Sequence, residues 1–282
     1  MRRWALLALA AALGCDRGER VVIGSKNFTE QRILGELLAQ TVEAAGLRAE
    51  RRLDLGGTFV CDTALRAGQI DAYVEYTGTA LTAILKDQPA ADPAAVLARV
   101  RAAYAPAGLV WTAPLGFDNT FALVIRSDDA ARAGLRTISD AVPHAGGWRA
   151  AFGYEFKERA DGYPGLARAY GLAFREIRTM DLGLLYRALT DRQVDLVAGN
   201  ATDGLIDHLG LVVLADDRRY FPPYEAAPVV RQATLARHPA LTAALERLGG
   251  TLDATTMRRL NYAVDGEHRD PSAVVRELRA RR

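Results

Sequence analysis

Cysteine, lysine and histidine are scarce in this chain, and every common nucleotide or catalytic signature is missing. Two cysteines occur among 282 residues, Cys15 and Cys61, in segments of different character. If Cys15 carries lipid, no intrachain disulfide can form and an apolar core must hold the fold unaided. Cys61, inside an apolar run, reads as a small buried hydrophobe. Only three lysines, Lys26, Lys86 and Lys157, stand among 36 basic residues, so a lysine beside a strand end attracts notice. The four histidines, His144, His208, His238 and His268, stand singly, without metal-ligand spacing, and read as solvated side chains. There is no Gly-x-Ser-x-Gly elbow, His-Glu-x-x-His, P-loop or Gly-x-Gly-x-x-Gly, so the sequence calls for no metal, cofactor or catalytic residue. No apolar run is long enough to cross a membrane as a mature helix.

What is present begins with an export signal. Met1-Arg2-Arg3-Trp4 is a basic start, followed by an Ala/Leu stretch to Leu13. The stretch ends Ala12-Leu13-Gly14-Cys15, which resembles the lipobox of bacterial lipoproteins, with Ala12 where Leu is usual. Residues 1–15 are therefore expected to be a lipoprotein signal peptide, with Cys15 acylated as the mature N-terminus and two or three acyl chains as anchor. A cleaved, soluble secretory protein is the alternative. Asp16 resembles the inner-membrane retention signal of two-membrane bacteria, which points to a periplasmic, inner-membrane-anchored protein. With Arg2 and Arg3 gone with the leader, 34 basic residues face 34 acidic ones, and nothing favours nucleic acid.

Beyond the leader, half of the residues are hydrophobic and a quarter charged, which fits one large or two modest packed domains. Strand and helix patterns alternate. Val21–Ile23 predicts a strand, Gln31–Ala45 a helix, Arg48–Asp54 a strand, Thr58–Ala67 a helix and Ala72–Tyr76 a strand, a β-α-β-α-β unit that implies a mostly parallel sheet. A helix is expected over Ala90–Ala103, and Phe121–Arg126 begins a second alternating set. In that set Arg149–Phe152, Phe174–Arg178, Asp195–Gly199 and Leu211–Leu214 read as strands. Gly162–Tyr170 and Leu184–Leu189 read as helices, Phe221-Pro222-Pro223-Tyr224 as a rigid link, and helices fill Pro239 onward. The two halves loosely repeat one element, Gly68-Gln69-Ile70-Asp71 and Arg192-Gln193-Val194-Asp195.

Four polar turns sit at carboxyl ends of predicted strands, where ligands of open α/β sheets gather. They hold Lys26, Gly57-Thr58, Tyr76-Thr77-Gly78-Thr79 and Asn200-Ala201-Thr202-Asp203-Gly204. At the first, Gly24 is expected to turn the chain and Thr29 to cap the next helix, which makes an anion-friendly corner beside Lys26. Each turn also has a plain structural reading, as a solvated lysine, a tight turn or a helix cap.

The residues carry a family resemblance. Ser25-Lys26-Asn27-Phe28-Thr29-Glu30-Gln31, Gly56-Gly57-Thr58, Tyr73-Val74-Glu75-Tyr76-Thr77-Gly78-Thr79, Asp161-Gly162, Met180-Asp181, Thr202-Asp203-Gly204 and Phe221-Pro222-Pro223-Tyr224 together resemble the substrate-binding proteins of quaternary-ammonium osmoprotectant ABC importers. Ligands of that family are glycine betaine, choline, carnitine and proline betaine. The resemblance implies an α/β, two-lobed, type II periplasmic-binding-protein clamshell with two chain crossovers. Residues 21–117 plus 225–282 would form lobe 1 and residues 118–224 lobe 2, with the ligand between them.

It also implies the site. Tyr76 and Tyr224 match cage tyrosines and Arg159 the carboxylate-binding arginine, with Lys26 and Thr79 as helpers; Asn119, Phe121, Asn200 and Thr202 complete the expected ligand-binding set. Phe121 stands where many relatives have Tyr, and Asn200 where betaine-binding members supply another cage Tyr. Tyr76 and Tyr224 could equally be core residues with satisfied hydroxyls, and Arg159 could pair with Glu155 or Asp161. The implied partners are an ABC permease and its ATPase, with the binding protein a monomer. Two other functions stay open: an enzyme on the same scaffold acting on a small charged metabolite, with Asp203 or Glu75 and Lys26 as its titratable pair, or a ligand sensor without transport.

Overall fold

A computed structural model describes residues 20–281, so the leader, Cys15 and Asp16 lie outside the described residues. The chain builds one five-stranded sheet, crosses to build a second, and returns. The first pass gives β1 (Arg20–Lys26), α1 (Thr29–Ala44), β2 (Arg48–Gly56), α2 (Thr58–Arg66), β3 (Ala72–Tyr76), the short α3 (Thr77–Thr79), α4 (Pro93–Tyr104) and β4 (Leu109–Trp111). The second sheet's segment comprises β5 (Phe121–Arg126), α5 (Ser127–Ala133), α6 (Ile138–Ala145), β6 (Arg149–Phe152), α7 (Tyr154–Glu158), α8 (Tyr163–Tyr170), β7 (Glu176–Thr179), α9 (Leu182–Thr190), β8 (Leu196–Asn200), α10 (Gly204–His208) and β9 (Leu211–Leu214). The return adds β10 (Ala226–Arg231), α11 (Gln232–Arg237), α12 (Pro239–Glu246), α13 (Ala254–Asp265) and α14 (Pro271–Ala280).

Strand orders are β2-β1-β3-β10-β4 and β7-β6-β8-β5-β9. Both sheets are mixed, which corrects the expectation of a mostly parallel one. β1 runs parallel to β2 and β3, but β10 is antiparallel to β3 and β4. In the second sheet β6 is parallel to β7 and β8, while β5 is antiparallel to β8 and β9. The antiparallel strands are the ones that follow a crossing, because a chain arriving from the other lobe enters its sheet from the cleft side. The two crossings touch: Asp118 bridges Glu225, and the Asn119 N–H donates to the Tyr224 carbonyl at 3.1 Å.

Apolar residues cover both faces of each sheet. On the first, Ile33, Leu34, Leu37 and Leu38 of α1 pack with Leu241 of α12 and Val275 of α14, while Leu65 of α2 and Val96 and Val100 of α4 pack opposite. The repeated element performs the same task in each half. The Asp71 carboxylate accepts from the Val22 N–H at 2.8 Å, and Asp195 accepts from the Arg149 N–H at 2.8 Å, so each pins the start of a neighbouring parallel strand. Gly68 and Arg192 take the left-handed turn just before, at φ of +71° and +55°.

The first corner differs from expectation in detail. Gly24 does not turn the chain: it lies inside β1, where a Cβ would stand 2.6 Å from Ile70 Cδ1. The turn comes at Asn27 and Phe28, after a register shift between Gly24 and Lys26. Phe28, not Thr29, occupies the N-cap of α1; the Thr29 hydroxyl donates to Asp265 instead, because α13 lies within its reach.

Candidate functional site

The carboxyl ends of β1, β2, β3, β6, β7 and β8 open onto one cleft of about 710 Å³ between the two sheets. That volume lies in the range of small-ligand sites. Its two ends have different chemistry.

At one end, charged groups neutralise one another across the cleft. Lys26 is buried; its Nζ pairs with the fully buried Glu75, donates to Thr58 Oγ1 at 2.9 Å and lies 5.1 Å from the Tyr76 ring centroid. Thr58 opens α2. Glu155, carried by α7 in the other lobe, accepts from the Thr58 N–H at 2.6 Å through Oε1 and from the Thr58 hydroxyl at 3.0 Å through Oε2. Burial opposes ionisation of Glu155, but Lys26, Arg159 and the Thr58 donors outweigh it and hold the carboxyl below its usual range. Arg159, just past α7, donates through Nε to Asp161 Oδ1 at 2.9 Å and through Nη2 to Asp161 Oδ2, and reaches Thr79 Oγ1 at 3.2 Å. Its guanidinium lies 5.3 Å from the Phe121 ring centroid. Asp161 also accepts from the Tyr224 and Thr82 hydroxyls, both at 2.7 Å.

At the other end, carboxylates meet only neutral donors. Glu30, in the first turn of α1, accepts from Tyr76 Oη at 2.6 Å and Asn119 Nδ2 at 2.8 Å on Oε1. Its Oε2 accepts from the Thr202 hydroxyl and from Asn261 Nδ2 at 3.1 Å. Burial pushes the Glu30 carboxyl above its ordinary value, against those four hydrogen bonds. Asp203 accepts from Tyr186 Oη at 2.6 Å and the Asn200 N–H at 2.8 Å. Burial, reinforced by the charges of Glu30 and Asp265, raises it to about 6. Tyr76 stands between the two ends, its ring against Lys26 and its hydroxyl on Glu30.

Residues 19–280 match the family described as the substrate binding domain of ABC-type glycine betaine transport system. The chain belongs to this family. It is 37% identical over 278 residues to the glycine-betaine-binding protein of Pseudomonas aeruginosa, covering 95% of this chain and 89% of that one. It is 34% identical over 270 residues to the carnitine transport binding protein OpuCC of Listeria monocytogenes, covering 94% and 88%. A crystal structure of a glycine betaine/carnitine/choline ABC transporter superposes with a TM-score of 0.77 at 31% identity, covering 92% of this chain and 97% of that one. The fold is thus the two-lobed α/β clamshell of these binding proteins, and the protein is a solute-binding component of an ABC importer that works outside the cytoplasm.

In this binding protein Lys26, Tyr76, Thr79, Asn119, Phe121, Arg159, Asn200 and Tyr224 all line the cleft. Thr202 does not; it is fully buried behind the wall and acts there through Glu30. Both pairings of Arg159 occur at once, with Asp161 and with Glu155. Tyr224 is 2% exposed, with its hydroxyl on Asp161, so it belongs to the arginine end of the cleft.

Glu30 and Tyr186 are among the lining residues that escape the sequence. Glu30 reads there as an ordinary acidic residue in a helix's first turn. Tyr186 reads as part of the apolar face of α9, yet it lies beneath Gly199, where a Cβ would come within 2.0 Å of its hydroxyl oxygen. Gly199 precedes Asn200, so an aromatic ring does lie beside the position where an aromatic was missing. Its only signal was the small residue next to Asn200.

Proposed function

We propose that the cleft captures a small quaternary-ammonium or similar zwitterionic osmolyte, of the glycine betaine, choline or carnitine type, and presents it to an ABC permease and its ATPase. The protein would be a monomer tethered by lipid on Cys15 to the periplasmic side of the inner membrane. The observation that carries this reading is the wall of the cleft, where the rings of Tyr76, Phe121, Tyr186 and Tyr224 stand among buried charges. A trimethylammonium group donates no N–H hydrogen bond, so aromatic faces and nearby carboxylates are what can hold it. The chain's own cations already use two of these rings in that way, Lys26 on Tyr76 and Arg159 on Phe121. The names of the relatives, which bind glycine betaine and carnitine, support the same ligand class.

Calorimetry of the mature protein against glycine betaine, choline, carnitine, proline betaine and amino acids tests the ligand. One quaternary amine should bind, and Tyr76→Ala should weaken it about tenfold, since a cation–π contact amounts to ~1–2 kcal/mol in a desolvated site. Unchanged affinity in folded Tyr76→Ala would exclude this wall as the site. For the tether, labelled fatty acid should enter the wild type and not Cys15→Ser; equal labelling overturns the anchor.

A further inference from the structure

The charges of the cleft are unequal. Among the described residues its lining carries six carboxylates and three cations. Each cation is already matched within the chain: Lys26 by Glu75, Arg32 by Asp54, and Arg159 by Asp161 and Glu155. The N-terminus of α2, beside Lys26, is where a ligand carboxylate would find backbone N–H groups, and it is taken. Glu155 holds the Thr58 N–H and hydroxyl, and a Cβ on Gly57 would stand 2.2 Å from Glu155 Oε1, the oxygen that accepts the N–H. Beyond Tyr76 the excess of carboxylates is uncompensated. Glu30 and Asp203 line the cleft with hydrogen bonds from neutral groups, and neither has a cation at ion-pair distance among the described residues. A buried carboxylate without a counter-ion is costly, and a cation arriving next to it removes that cost. A carboxylate arriving at the opposite end must share or displace Glu155.

We infer that this cleft selects a ligand of net positive charge, a quaternary ammonium that bears no carboxylate, over a zwitterionic betaine, and that Glu155 is the specificity-determining residue because it fills the anion subsite from within the chain. The inference rests on the quaternary-ammonium reading of the cleft and goes further by naming the ligand's net charge and the residue that sets it. Glu30 and Asp203 supply the complementary field for the cation. Glu155 acts by occupying space and donors rather than by touching the ammonium group.

Choline and glycine betaine share the trimethylammonium group and differ in hydroxyl against carboxylate, so the pair isolates the inference. In calorimetry on the mature chain, choline should bind at least about tenfold more tightly than glycine betaine. Glu155→Ala empties the anion subsite and frees the Thr58 N–H and hydroxyl; it should raise betaine affinity several-fold relative to choline, narrowing the ratio. Thermal unfolding certifies that the variant is folded. Glu30→Gln, checked by thermal unfolding, should weaken choline more than betaine. Betaine binding as tightly as choline in the wild type, or an unchanged ratio in Glu155→Ala, overturns this inference alone. No binding by any quaternary amine overturns the underlying reading and this inference with it.

Discussion

Asp203 ties the chemistry of the cleft to the stability of the chain. Its carboxyl is pushed up to about 6 in the folded protein against 3.8 ordinarily, because it is desolvated in the cleft wall and faces Glu30 and Asp265. A carboxyl with a raised folded pKa binds a proton more tightly folded than unfolded, so between pH ~4 and ~6 its contribution to stability falls as pH rises. Asp203→Asn keeps an acceptor for Tyr186 and the Asn200 N–H without the charge. Urea unfolding from pH 4 to pH 7 should show the variant gaining on the wild type with rising pH, by on the order of 2 kcal/mol at pH 7. A constant difference across that range would show that Asp203 is not the titrating group. At this scale the sequence reveals the residues at strand ends, Lys26, Tyr76 and Asn200, since position along the chain already places them on the cleft. Glu30 and Tyr186 are hidden in it, since their roles come from Asn119, Thr202, Asn261 and Asp203, which only folding brings near.

Among the elements, the strands built on short, mostly apolar runs are the legible ones. Ala72–Tyr76, Phe121–Arg126, Arg149–Phe152 and Leu211–Leu214 are strands with the bounds that their composition suggests. β10 is not legible, because Pro228 lies within it and proline argues against a central strand. The structure accommodates it locally. The Pro228 carbonyl accepts from the Thr112 N–H at 3.0 Å, one residue past the end of β4, so the missing N–H of Pro228 faces the place where the edge strand stops. With β10 unseen, the antiparallel half of the first sheet is unseen too, and only the parallel β-α-β-α-β part remains. The repeated Asp71 and Asp195 elements were visible as a pattern, but their task of pinning Val22 and Arg149 appears only once the parallel neighbours are paired.

For the molecule as a whole, function depends on how the two lobes hold each other, and the contacts fall on opposite sides of the cleft. On one side α10 packs on α13, with Arg258 Nε donating to the Ala201 carbonyl at 3.0 Å and Asn261 Nδ2 to the Thr202 carbonyl at 2.8 Å. On the other, Glu155 reaches Thr58, Arg159 reaches Thr79, and Asp161 reaches Thr82. Hinge closure of such a clamshell is expected to open first where fewer groups pack, and the Glu155 contact depends on one hydrogen atom's worth of space at Gly57. That glycine has φ of −78°, so alanine suits its backbone and the substitution acts chiefly on Glu155. Gly57→Ala should therefore cost only about 1 kcal/mol in thermal unfolding, while small-angle scattering of the ligand-free variant gives a larger radius of gyration than wild type. Adding a tight ligand should narrow the gap, because a bound molecule bridges lobes that the variant can no longer latch. If the scattering curves of variant and wild type superimpose without ligand, the Glu155 contact does not hold the lobes together, and closure rests on Arg159 with Thr79, Asp161 with Thr82 and the α10 and α13 side.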